Sequence, residues 1–254
     1  MEHKNSIGIV SGKGGVGKTT VTANIGVSLV KDFGLNTVVL DANVLTSNLG
    51  LHLGFVREPV SLHDVLQKKL EVDKVIYAHS SGLNVIPSSL AVDAVIDVSA
   101  LTKIIKYLAE RYDFVIVDSA PGLSKEALVV MDACDSFIVV TNPEMPAIAD
   151  SIKTINMLEK RKKHIIGIVV NKITGRNYEL SRNSIEKLTD YPVIAEVPYD
   201  DRVSESIAAK VPIVLFAPNS EASIKFRQLA GWLCDKPFMV QQSIWQRIIR
   251  LIFG

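Results

Sequence analysis

Residues 12–20, Gly-Lys-Gly-Gly-Val-Gly-Lys-Thr-Thr, stand between an apolar run, Ser6–Ser11, and a stretch of helical length, Thr19–Phe33. No other feature of the chain restricts its fold as tightly. The spacing matches GxxxxGK[ST], the phosphate-binding loop that joins a buried strand to a helix. In such a loop the backbone N–H groups of Gly12, Gly14, Gly15, Val16 and Gly17 converge on phosphate oxygens, with Thr20 just behind them in the first turn. Lys18 adds charge at the β- and γ-phosphates, and the Thr19 hydroxyl is a Mg²⁺ ligand. Gly12, Gly14 and Gly17 also satisfy GxGxxG, the dinucleotide pattern, and Asp41 follows Gly17 by 24 residues at a strand end. A dinucleotide site has no need of Lys18-Thr19, whereas a nucleoside triphosphate with Mg²⁺ needs both. The triphosphate is therefore the stronger reading.

The rest of the 254-residue chain repeats the same alternation. Runs rich in Val and Ile, at Thr37–Asp41, Asn84–Pro87, Phe114–Asp118, Ser136–Thr141, Ile165–Asn171 and Pro192–Val197, are apolar on both faces, as buried parallel strands require. Ala100–Arg111, Pro146–Lys162 and Ser181–Asp190 are long enough for crossover helices, Ser61–Asp64 reads as a capping box, and Asn219–Cys234 closes the body. The pattern predicts an α/β fold, a doubly wound and mostly parallel sheet with helices on both faces. Phe114–Asp118 is an apolar strand ending in a carboxylate, the Walker B arrangement, so Asp118 is expected to hold Mg²⁺ through water. Gly122, after Ser119-Ala-Pro, would let the backbone turn toward the γ-phosphate.

A net charge of +1 removes the whole-surface attraction of a strongly basic nucleic-acid binder without excluding a local patch. Cys134 and Cys234 have neither disulfide-framework nor CxxC spacing, so a reducing, cytoplasmic setting is expected. The first residues carry no secretory h-region, and no run of about 18 apolar residues occurs. His52, His63 and His79 lack ligand spacing and are expected to face solvent or cap loops.

Lys13, directly after the first glycine, makes the loop more specific than a plain phosphate loop. With Asn48-Leu-Gly-Leu51, Asp118-x-x-Pro-Gly122, Thr141-Asn-Pro-Glu144, Asn171-Lys172 and Val197-Pro-Tyr-Asp200, it resembles the MinD/ParA family of deviant Walker A ATPases over nearly the whole length, the MinD branch most. The resemblance implies ATP hydrolysis with Mg²⁺ and a homodimer that closes around ATP. It implies that Lys13 reaches the partner's phosphates, that Glu144 positions Lys13, and that Asn171 and Pro198 hold adenine. At the end of the second strand the family usually has Asp-x-Asp, but here the run is Asp41-Ala-Asn43. An amide can orient a water but cannot take its proton, so Asn43 predicts slow turnover. An ATP-holding switch that barely turns over is the alternative.

After Asp235-Lys-Pro237 the chain ends in Ser-Ile-Trp-Gln-Arg-Ile-Ile-Arg-Leu-Ile-Phe-Gly, which divides it into an ATPase domain, 1–235, and a linker with terminal helix, 236–254. At about 100° per residue, Ile244, Trp245, Ile248, Ile249, Leu251, Ile252 and Phe253 share one broad face and Arg247 and Arg250 the other. The eleven residues from Ile244 to Gly254 make about 16 Å of helix, too short for a hydrocarbon core of about 30 Å. They suit an interfacial helix on anionic lipid, as MinD-like proteins carry at this place. The expectation is a cytoplasmic protein, peripheral on the inner membrane face, with an unnamed protein activator or cargo. Lys160-Arg-Lys-Lys-His164 fits a solvated helix end, and alternatively a ParA-like, salt-sensitive contact with DNA.

Overall fold

A computed structural model describes residues 6–56, 58–89 and 97–239. The strands are β1 (Ser6–Val10), β2 (Thr37–Asp41), β3 (Tyr77–Ala78), β4 (Asn84–Ile86), β5 (Phe114–Asp118), β6 (Ser136–Thr141), β7 (His164–Ile173) and β8 (Val193–Pro198). They form one sheet in the order β3-β4-β2-β5-β1-β6-β7-β8. Every pairing is parallel except β3 with β4 at the edge. The helices are α1 (Lys18–Lys31), α2 (Leu49–His52), α3 (Leu62–Leu66), α4 (Leu101–Ala109), α5 (Lys125–Ala133), α6 (Met145–Lys160), α7 (Arg182–Thr189), α8 (Asp201–Ala208), α9 (Ile213–Phe216) and α10 (Glu221–Leu233).

The period-2 alternation of side chains sorts each central strand between two cores. Val115, Val117, Phe137 and Val139 point to one side, with Ile104, Leu108, Met131 and Ile155 from α4, α5 and α6. Ile7, Ile9, Ile116, Ile138 and Val140 point to the other, with Ile25, Leu29, Phe226 and Leu229 from α1 and α10. This two-sided burial is the doubly wound arrangement expected from the apolar runs. Among the described residues no helix is long and apolar enough to cross a membrane.

Several elements depart from the sequence reading. β3 is a two-residue antiparallel edge, and α2, α5, α8 and α9 lie where no helix was expected. The packed body also runs past Asp235: Lys236 N–H donates to Gly231 O at 2.9 Å, and the Arg227 guanidinium lies 4.3 Å from the Phe238 ring centroid. The terminal stretch Ile244–Phe253 falls outside the described residues.

Candidate functional site

The phosphate loop leaves β1 at Val10 and enters α1 at Lys18. Its last glycine, Gly17, has φ 101° and sits at the N-cap, and a Cβ there would strike the Asn171 amide. Only glycine fits both demands. No side chain caps α1 and no acid lies in its first turn, so its leading N–H groups and positive dipole end stay open to an anion. Gly14 and Gly15 have open space where a Cβ would stand, Gly14, Gly15, Gly17, Thr19 and Thr20 line a cavity, and Gly12, Lys13 and Val16 lie behind or beside it.

Lys18 also lines that cavity, although its side chain is almost entirely buried, and its Nζ donates to Ser11 Oγ at 3.0 Å. Burial holds its ammonium below the usual lysine range, and the Asp118 carboxylate acts against that shift. Thr19 Oγ1 donates to Asp118 Oδ2 at 2.6 Å. Asp118 Oδ1 is buried without a well-formed hydrogen bond; the Thr22 hydroxyl, likewise unpaired, lies close enough to favour the carboxylate. A hydroxyl beside a carboxylate with a spare buried oxygen is a donor set for a hard cation, so the residues present fit Mg²⁺.

Asp41 is the register partner of Asp118 on the neighbouring strand. Burial first, and then the Asp41 charge, push the Asp118 carboxyl above its ordinary range. Burial raises Asp41 as well, against hydrogen bonds from Ser47 Oγ and the N–H groups of Leu49, Asn43 and Asn48. Asp41 thereby ties down the whole 43–49 loop. The side chain is fully buried, and through those bonds it holds the loop that brings Asn43 and Thr46 to the cavity. Asn43 lines the cavity, but both ends of its amide are engaged: Nδ2 donates to Thr46 O at 2.8 Å, and Oδ1 accepts from Thr46 Oγ1 at 2.9 Å.

The cavity holds about 530 Å³ and runs from the phosphate loop to Pro198, Tyr199, Asp200, Val203 and Ile207. Asn171 also lines the cavity and donates to Val16 O at 2.8 Å, so it braces the loop. Lys172 adds a second brace, donating to Gly15 O at 2.7 Å. Gly122 N–H donates to Ser11 O at 2.9 Å, which puts the switch after β5 against the phosphate loop. Lys13 Nζ lies 3.5 Å from Glu144 Oε2 at an exposed rim.

One histidine expectation is corrected. His52 is half-buried, lines the cavity and places Nε2 3.4 Å from Thr20 Oγ1, because α2 folds back over the start of α1. His63 caps a loop as expected, buried and accepting from Ser89 N–H at 3.1 Å. Ser11, Thr46 and Lys172 belong to the site without having been anticipated; only Lys172, beside Asn171, had a motif to flag it. In the basic run, Arg161 pairs with Asp132 at 3.0 Å, and Lys163 Nζ donates to the carbonyls of Asp132 and Cys134 at the end of α5. Lys163 thus caps the C-terminal end of α5, and Arg161 is engaged in an ion pair beside it.

Residues 2–234 match the ParA family described as NUBPL iron-transfer P-loop NTPase. The chain is 34% identical over 256 residues to an uncharacterized ATP-binding protein of Methanocaldococcus jannaschii, covering 98% of this chain and 97% of that one. The septum site-determining protein MinD of Pyrococcus horikoshii, solved in complex with Mg-ADP, is similar at a TM-score of 0.86 and 31% identity, covering 90% and 95% of the two chains. A chain of the MinC:MinD cell division complex of Aquifex aeolicus gives a TM-score of 0.83 at 29% identity, covering 94% and 98%. With the family match spanning residues 2–234 and the whole fold similar to MinD, the chain belongs to the MinD/ParA family of P-loop NTPases.

Proposed function

We propose that the chain is a slow, Mg²⁺-dependent ATPase that dimerises around ATP and, as a dimer, docks reversibly on an anionic membrane surface to place or regulate a partner protein. The observation that carries this reading is the division of labour between two lysines. Lys18 is buried and lines the cavity, whereas Lys13 is half-exposed outside its lining and pairs with Glu144 at 3.5 Å. A rim lysine beside an intact phosphate loop is suited to a second copy's phosphates.

Within one copy, the backbone of Gly14–Gly17 and the Lys18 ammonium would hold the phosphates, and the Asn171–Pro198 end of the cavity the base. Thr19 would hold Mg²⁺ directly and Asp118 through water. When bound, Mg²⁺ supplies charge neutralisation between the β- and γ-phosphates. Asn43 must release Thr46 before it can orient a water, and it still cannot accept a proton. Asn43→Asp should therefore raise ATP turnover about 10²-fold, the low end of what a positioned base contributes. Equal rates in a steady-state phosphate-release assay would refute a rate limit at this position.

The dimer and the membrane are tested together. Phosphate release should rise when anionic vesicles are added, and Lys13→Ala should remove both that rise and the ATP-dependent dimer seen by light scattering. A Lys13→Ala chain that still dimerises with ATP would return this lysine to a solvated loop residue. MinC accompanies MinD in the Aquifex complex, which supports a protein partner here without naming it.

A further inference from the structure

The end of α10 and the chain that follows it are built into the body. Gly231 admits no side chain, because a Cβ would meet Lys236 O, the Phe33 ring and Phe238 N. The chain doubles back at this close approach. Phe238 then lies under the Arg227 guanidinium, which is itself held by Asp32, with Arg227 Nε donating to Asp32 Oδ2 at 2.9 Å. The last described residues are thus clasped to the body, and the terminal segment departs from a defined point.

Around that point two large apolar side chains are exposed. Trp232 is 39% exposed and Met239 is 80% exposed. Trp232, Gln228, Lys236 and Phe238 line one shallow groove of about 400 Å³. Phe33, at this site, follows the C-terminal end of α1, whereas the phosphate loop begins that helix. The groove is therefore about 20 Å from the nucleotide along α1, away from the face where a second copy would meet Lys13.

We propose that Trp232 and Met239 form a second lipid contact, made by the body itself at the root of the terminal segment. The proposal rests on the membrane reading above and adds to it the orientation of the body. Residues 239–243 separate the clasp from Ile244 and span at most about 17 Å when fully extended. An interfacial helix lies at the boundary of headgroups and acyl chains. With so short a tether the root is drawn into the headgroup layer, where an indole is favoured. Asp235 and Lys236, which also line the groove, carry opposite charges and leave it without net charge. The contact is accordingly apolar, and its contribution is insensitive to salt, unlike that of Arg247 and Arg250.

The chain has two tryptophans, Trp232 and Trp245, which makes the test direct. In full-length Trp245→Phe, Trp232 is the sole emitter. With ATP and phosphatidylglycerol vesicles carrying brominated acyl chains, its emission should shift to shorter wavelength and be quenched, and ADP should abolish both effects. Vesicle pelleting with unshifted, unquenched Trp232 emission overturns the proposal. As a second measure, Trp232→Gln with the tail intact should weaken vesicle partition about tenfold, as expected for the exposed part of an indole, with an unchanged salt dependence. Unchanged partition overturns it too. If the unmodified chain does not pellet with ATP at all, the membrane reading itself falls, a result distinguishable from either of these.

Discussion

Lys18→Ala should lower ATP turnover by about 10³-fold, the loss expected when a preorganised charge is removed from a developing phosphate charge. The chain should still fold. Lys18 is buried and its ammonium is already destabilised by desolvation, so removing it relieves a penalty rather than opening the core. Ser11 keeps a partner, because its Oγ also donates to Lys13 O at 2.7 Å. The effect reaches Asp118 as well. Lys18 is the cation that favours the charged form of Asp118, against burial and the neighbouring Asp41. Without it the Asp118 carboxyl rises further and holds its proton more tightly, which weakens the site for Mg²⁺. One substitution therefore acts on phosphate and metal together, and adding Mg²⁺ should recover only a small part of the loss. The measurements are phosphate release and binding of a fluorescent ATP analogue across a Mg²⁺ series. A variant retaining a tenth of the turnover would place the catalytic charge elsewhere.

What could be read from the sequence follows from how each feature is encoded. β2, β5 and β6 run over the same residues as the apolar runs that announced them, because strands buried on both faces are contiguous in sequence. β7 extends beyond its run, from His164 to Ile173, carrying Asn171 and Lys172 as a continuation toward the phosphate loop. β3 has two residues, too few for any period to show. α8 is mostly polar on a surface edge, and α5 is announced only by the Ser124 side chain that accepts from Ala127 N–H. The same distinction divides the site. Lys18, Thr19 and Asp118 belong to linear motifs and meet as those motifs require. The Lys13–Glu144 pair was named from family resemblance and is present at 3.5 Å. Asn43 bonded to Thr46, and His52 beside Thr20, arise from how the 43–52 segment folds over α1. No spacing rule encodes that fold, since Asp41 sets it through hydrogen bonds to four residues.

Deleting Ile244–Gly254 should abolish ATP-dependent pelleting with anionic vesicles while leaving lipid-free ATP turnover in place. The described body is clasped at Phe238, and the cavity is lined by residues from Gly14 to Phe226, so the deletion removes none of the residues that build either. The size of the effect comes from valency. One short amphipathic helix binds weakly, but two carried by one ATP dimer gain roughly 10²–10⁴ in apparent affinity once the first is engaged. Removing both takes away the single contact and the whole avidity gain. Charge works in the same direction: from Lys236 onward the chain carries Lys236, Arg247 and Arg250 and no acid, so the net +1 divides into a basic tail and a slightly acidic body. The body alone is mildly repelled by anionic lipid, and its Trp232 contact is too small to hold it there. Raising salt should release the full chain from vesicles progressively as the arginines are screened. Pelleting of the truncated chain, or equal pelleting of the full chain with ADP and ATP, would each show that the attachment does not run through a nucleotide-gated pair of tails.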